Sequence, residues 1–492
     1  MTPRGATQKL ARRAGILLAL WLGFWLLALG LMLGLIAIPL AEMEYRDHVD
    51  FAGIAAAIAA VTLAIAVLPR GWYKRKKESD EPSWNEAEAG RLLEFVRDIA
   101  KKLGVQAPLR FYLQAQSGAS IGAVRNWRGS IKHLNIVIGL PLFAALSERE
   151  LGAVIAHEFG HFVGGDLKLG PWVYRTRESI GRAVQGLDGS MFFLDAPFRY
   201  YGALFLRLSR AVSRAQEYQA DALAAQHFGD DAARRALEKV YALGPQWTVY
   251  LEGSLWPAVN AGAQVPIVEG FRQFQAGPRS AETETAIAAQ KDDPPHPHDT
   301  HPSLEERVDA LQPGARPDSP AWSGCLHLLG GEAAAESVLY GRLLEKALPV
   351  VTWENFGDGV LAPRISERFA ETFMDPRQCR FEQLAAMVGD LDGLWPRVSP
   401  GGVSFLSPEA KRRHVLGILR DWIVASLVQH GYQLEVRPGA ARCLVNDWHR
   451  VAPDTLLQDL KSGKANAASL AALIHAPADE DEDTWTLAAP SA

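Results

Sequence analysis

Residues 16–40 form an apolar run of 25 residues without one charged side chain, and no other feature restricts the possible folds of this chain so strongly. In hydrocarbon every backbone N–H and C=O must find its partner inside the segment, so such a run is expected to be helical. At about 1.5 Å per residue it reaches across about 30 Å of bilayer core. A second run, residues 51–68, has 18 residues and is only just long enough. A cleaved signal peptide is the alternative for the first run, but its length and the second run behind it argue for a retained span. Arg4, Lys9, Arg12 and Arg13 precede the first run, and Arg70, Lys74, Arg75, Lys76 and Lys77 follow the second. The short connection holds Glu42, Glu44, Asp47 and Asp50 against Arg46. The positive-inside rule then makes the two runs a hairpin with both ends in the cytoplasm. The Lys74–Lys77 cluster is chiefly a topology determinant, with anionic headgroups as a secondary contact.

The soluble part carries His157-Glu158-Phe159-Gly160-His161. Histidines four apart lie one helical turn from each other, so both imidazoles can reach one ion, with Glu158 beside them as a general base. Ser147 and Glu150 form a capping box ahead of the motif. Leu151, Val154, Ile155, Phe159 and Phe162 supply an apolar stripe, and Gly164-Gly165 a stop. The alternative is a pair of core histidines satisfied by hydrogen bonds.

A catalytic zinc ordinarily has three protein ligands and an open position. Glu217, 56 residues past His161, is the best candidate for the third, on an amphipathic segment over residues 201–228. Leu204, Leu208, Val212, Ala215, Ala222 and Leu223 are its expected buried stripe, and Gly229 its stop. Asp221 shares a face with Glu217 and can fix the tautomer of a ligand histidine. Taken alone, Glu217 and Asp221 also fit a solvated face paired with Arg210 and Arg214.

Three blocks, His157 to Asp166 (HEFGHFVGGD), Glu217 to Asp221 (EYQAD) and Thr300 to Arg307 (THPSLEER), resemble in order the signature blocks of the HtpX-like and CAAX-prenyl-protease-like membrane metallopeptidases. The resemblance spans roughly residues 84–311 plus the N-terminal runs. It implies a gluzincin with one zinc per chain on His157, His161 and Glu217, and Glu158 as base. It further implies Asp221 as partner of His157, Arg307 as electrostatic support of Glu217 or Asp221, and His301 as donor to the developing oxyanion. Asp166 matches a Gly-Asp that follows the histidine helix in such proteins. The family's Asn-Ala-Phe-like edge strand is replaced here by Ser120-Ile121-Gly122-Ala123, expected to bind substrate by strand addition.

The implied activity is hydrolysis of peptide bonds in unfolded or membrane polypeptides, from the cytoplasmic face of the cell (inner) membrane. Resemblance to HtpX implies quality control of membrane proteins and resemblance to the prenyl proteases implies processing of a lipidated C-terminus; two spans without a many-helix membrane chamber favour the former. A zinc-containing scaffold or chaperone-like binding protein is the alternative, against which an intact Glu158 argues. The net charge of -5 gives no support for nucleic-acid binding. Three widely spaced cysteines, Cys325, Cys379 and Cys443, form neither a disulfide framework nor a thiolate site.

The expected fold is α+β and mainly α: a transmembrane hairpin (1–78), a zincin-like core with a small sheet (79–316), a separate C-terminal α+β domain (317–476) and an acidic disordered tail (477–492). Strands are expected at 110–114 and 134–138, and a polar, proline-rich loop over 275–302 that includes His296 and His298. Residues 191–212, broken by Asp195, Arg199, Arg207 and Arg210, read as an amphipathic segment on the membrane surface or as a core helix. Beyond 317, helices are expected at 333–348, 381–388 and 408–430, and short strands at 432–437 and 442–445 across a Pro-Gly turn.

Overall fold

A computed structural model describes residues 3–67, 86–126, 130–163, 192–291, 302–313, 322–399 and 406–475. The Lys74–Lys77 cluster, Gly164-Gly165, Asp166, His296, His298, His301 and the 477–492 tail lie outside the described residues. By its internal contacts the chain divides into two compact units, residues 1–243 with 291–331, and residues 244–290 with 332–492. The fold is mainly helical, with two small sheets.

In the first unit, α1 (Pro3–Arg46) is one helix long and apolar enough to cross a membrane. Leu26 and Leu33 are 68% and 58% exposed on it, an outward row that lipid would cover. Its other side, with Phe24 and Ala28, is buried. α2 (Phe51–Val67) packs against α1 through Ala56, Ala59, Ala60 and Leu63, small residues that let helices approach closely. With 17 residues, α2 is shorter than the roughly 20 of an ordinary span. A polar turn joins them, where Glu42 accepts from the Asp50 N–H at 3.0 Å.

Next come α3 (Glu86–Lys102) and a three-stranded sheet of β1 (Leu109–Gln114), β2 (Ala119–Arg125) and β3 (Ile131–Gly139). The strand order is β1-β3-β2, with β3 parallel to β1 and antiparallel to β2. The buried Leu134, Ile136 and Ile138 make β3 the central strand. β3 runs directly into α4 (Leu140–Ala145), and a Cβ at Gly139 would lie 2.1 Å from the Gln116 carbonyl oxygen, so only glycine fits this corner. α5 (Glu148–Val163) follows, opened by the expected capping box: Glu150 accepts from the Ser147 N–H at 2.9 Å, and the Ser147 hydroxyl accepts from the Glu150 N–H at 3.3 Å. Leu151, Ile155 and Phe159 of its expected stripe are fully buried, and Val154 and Phe162 partly.

Residues 192–228 form one helix, α6 (Phe192–Phe228), which merges the 191–212 and 201–228 segments. Its buried face differs from the expected stripe: Ala222 is exposed, while Ala220, Ala224 and Ala225 are buried beside Glu217 and Asp221. Alanine fits either face of a helix, so the sequence pattern alone misplaced the stripe; packing on α5 selected the face that carries the carboxylates.

α7 (Asp230–Tyr250) closes the first unit and leads into the second. There α8 (Ile267–Ala276) and α9 (Pro278–Lys291) correct the first part, 275–291, of the expected loop over 275–302, because the alanine- and glutamate-containing stretch after Pro278 is helical; residues 292–301 lie outside the described residues. α10 (Leu304–Leu311) belongs to the first unit. The second unit continues with α11 (Glu332–Leu343) and a core around Trp422 of α12 (Pro408–Gln429), whose ring stacks on Phe381. Its sheet of Gln433–Glu435, Cys443–Val445 and Arg450–Val451 is antiparallel.

Candidate metal centre

Three elements of the first unit build the site. α5 contributes His157 and His161 one turn apart, and α6 contributes Glu217 from a tightly packed crossing. Gly160 makes that crossing possible: a Cβ there would lie 2.9 Å from the Ala220 Cα. Gly160 carries no local mark of this role; its signal is the pairing of two small residues, visible only once the helices are known to cross.

The ligand atoms converge. Nε2 of His157 and Nε2 of His161 are 3.1 Å apart. Glu217 places Oε2 3.5 Å from the His157 nitrogen and Oε1 3.8 Å from the His161 nitrogen. Donors about 2.0–2.1 Å from a tetrahedral ion stand about 3.3 Å from one another, so this triangle fits one small cation. Among the described residues, these three form the group able to hold a metal ion. Glu217 is 6% exposed, and burying a carboxylate in this way requires a positive partner.

The surroundings support the triangle. Asp221 Oδ1 lies 3.0 Å from His157 Nδ1, the nitrogen facing away from the other ligands. Arg307 on α10 grips Asp221 with both fork nitrogens, at 2.8 and 2.6 Å, and reaches Glu217 Oε2 at 3.4 Å. Burial opposes the charge of Asp221, but hydrogen bonds from Arg307 and His157 prevail and hold its carboxyl below the usual range. Burial pushes the Glu158 carboxyl up, against the downward pull of His157 and His161.

α10 is itself held in place. Ser303 and Glu306 form a capping box at its start. Glu306 also receives a bidentate pair from Arg214, at 2.8 and 2.6 Å. Arg214 therefore pairs with α10 rather than with Glu217 or Asp221, a contact 92 residues away in sequence that no local pattern announces.

The expected substrate segment, Ser120 to Ala123, lies on β2 at one margin of the sheet, and β2 packs along α5. Ile121 faces the core while Ser120 and Gly122 are exposed.

The model of peptidase family M48 matches residues 86–314, which contain every part of this site. Residues 86–314 of the chain thus carry a peptidase family M48 domain. The chain is 25% identical over 252 residues to a protease HtpX homolog of Paraburkholderia phytofirmans, covering 47% of this chain and 76% of that protein. It is 24% identical over 249 residues to one of Burkholderia multivorans, with the same coverage of 47% and 76%. A Burkholderia mallei homolog is 26% identical over 174 residues, 32% of this chain and 58% of the relative. No solved structure matches the chain.

Proposed function

We propose that this HtpX-like chain is a membrane-anchored zinc endopeptidase acting on unfolded or membrane polypeptides. The ligand triangle, with His157, His161 and Glu217 between 3.1 and 3.8 Å apart, carries the reading. These three residues would hold one zinc ion; histidine nitrogen with a carboxylate oxygen suits zinc, and a Glu–His–His set leaves a position open. When bound, such an ion acts as a Lewis acid and lowers the pKa of a coordinated water to about 7.

The chain's own residues supply the proton chemistry. Glu158, beside the two ligand histidines on α5, removes the proton of the attacking water and returns it to the leaving amine. Asp221 holds the His157 ring by Nδ1, leaving Nε2 for the metal, and Arg307 holds Asp221 ionised. The β2 margin accepts substrate as an added strand, positioning it by backbone bonds that tolerate many sequences. His301 is the proposed donor to the oxyanion. The N-terminal runs, a hairpin on the positive-inside rule, keep this machinery on the cytoplasmic side of the cell membrane. Likeness to the protease HtpX homologs supports the peptidase reading, and membrane-protein quality control is the role proposed for it.

The test is cleavage of casein by the detergent-purified full chain, beside Glu158→Gln, with zinc measured in both. Wild type should cut, and the variant should hold zinc while losing about 10²–10⁴-fold in rate. Zinc-loaded wild type that leaves casein whole would overturn the peptidase reading.

A further inference from the structure

The first unit contains a contact that catalysis does not require. Where α1 meets α6, the Tyr201 hydroxyl donates to the main-chain carbonyl of Leu20. The Tyr201 ring packs on Phe24 with centroids 6.3 Å apart. A Cβ at Gly23 would lie 2.5 Å from the Tyr201 oxygen, so the glycine admits the hydroxyl to the α1 backbone. Phe24 and Phe205 are fully buried. Such a contact fixes one position along α1, because a slide by one residue would replace Gly23 with a side chain.

The contact also has a height in the bilayer. Leu20 lies four residues into the apolar run, about 6 Å past its start at 1.5 Å per residue. Trp21 and Tyr200, the latter 77% exposed, flank it, as aromatic residues do at a membrane interface. Arg207 is exposed on the next turns of α6. Arg199, two residues before Tyr201, is exposed too, so the contact sits at the polar edge of the apolar layer, and from it α6 runs to the water-using site at Glu217. Between Tyr201 and Glu217 lie 16 steps of uninterrupted helix, about 24 Å.

We propose that α6, locked to α1 through Tyr201, is a spacer that sets how far from the membrane the protein cuts. The favoured substrates are polypeptides anchored in the same bilayer, cleaved no nearer than about five extended residues from their span: the contact lies about 6 Å inside the apolar run, which leaves about 18 Å of helix beyond it, and an extended chain covers about 3.4 Å per residue. The inference rests on the membrane-anchored peptidase reading above and adds to it a distance rule and a positioning residue, Tyr201.

The test uses the full chain in lipid vesicles with single-span substrates. Each carries the same cleavable cassette, a casein segment the enzyme cuts in detergent, behind a Gly-Ser spacer of about 3, 7 or 15 residues. Wild type should cut behind the two longer spacers and at least about tenfold more slowly behind the shortest, as misplaced substrates react slowly. Tyr201→Ala, and separately Gly23→Leu from the α1 side, should cut free casein at the wild-type rate yet lose that distinction. Equal cutting behind all three spacers by wild type, or an unchanged distance profile in both variants, would overturn the spacer. Casein left uncut would instead overturn the peptidase reading, and the spacer with it.

Discussion

The Nδ1 of His157 and the carboxylate of Asp221 show what single residues contribute. Asp221→Asn keeps the shape but removes the charge that Arg307 and His157 share, so affinity for zinc should fall about 10–100-fold, read by competition with a chelating dye. A second buried pair lies apart from the metal ligands' own contacts. Glu150 and Lys239 are 3% and 2% exposed and 2.7 Å apart, and Lys239 also reaches the Ala145 carbonyl and the Ser323 hydroxyl. Lys239→Met leaves the buried Glu150 carboxylate at the start of the histidine helix with the Arg235 Nε at 3.2 Å as its remaining cation and should cost up to about 3 kcal/mol in chemical unfolding. Adding Glu150→Gln should recover part of that loss. Burial opposes the Glu150 charge, yet the Lys239 hydrogen bond leaves its carboxyl lowered below the usual value. A carboxyl lowered on folding adds stability above its unfolded pKa of about 4.3 and gives it up as pH falls through the lower folded value. The stability gap between wild type and Glu150→Gln should therefore be full at pH 6 and shrink below about pH 4.

At the scale of elements, the crossing of α5 and α6 decides whether three ligands become one site. Alanine is a better helix former than glycine by about 1 kcal/mol, so Gly160→Ala on propensity alone would stabilise α5. The added Cβ meets the Ala220 backbone at 2.9 Å, and a backbone cannot swing aside as a side chain can. Overpacking of about 1–3 kcal/mol should win: the variant should melt at lower temperature and purify with less zinc. The Arg214–Glu306 clamp is 36% and 45% exposed, so its effect on stability should be small, under about 1 kcal/mol. The helix histidines and E-x-x-x-D were legible because ligand spacing along one helix is a local property. The face of α6 was not, since alanines at 215, 220, 222, 224 and 225 carry little sidedness. The helix at α9 was obscured by the proline-rich residues that follow it.

For the whole molecule, the proposed zinc site would link metal to folding. An ion bound only by the folded site adds about 4 kcal/mol at a thousandfold excess over its dissociation constant. Stripping zinc with a chelator should lower the melting transition of the unit that carries His157, His161 and Glu217, and restoring zinc should bring it back, as calorimetry on the full chain would show. The second unit is assembled from residues 244–290 and 332–492, two stretches separated by the segment that contains α10. That interleaving returns Arg307 to the first unit, 86 residues after Asp221.

The order of the amino acids alone determined the apolar N-terminal helix and the metal-ligand helix with its capping box. Both depend on periodicity or composition within about 25 neighbouring residues, and a helix is a local structure, whereas Glu217, 56 residues past His161, joins the two histidines through the crossing of α5 and α6. Only the tertiary structure decided that Gly160 lies on Ala220, that Arg214 grips Glu306, that Lys239 neutralises Glu150, and that Tyr201 reaches the carbonyl of Leu20. Those contacts join residues from 60 to 181 positions apart, and neither partner bears a local mark of the other. Their geometry follows from how buried surfaces close-pack, which is a property of the assembled chain.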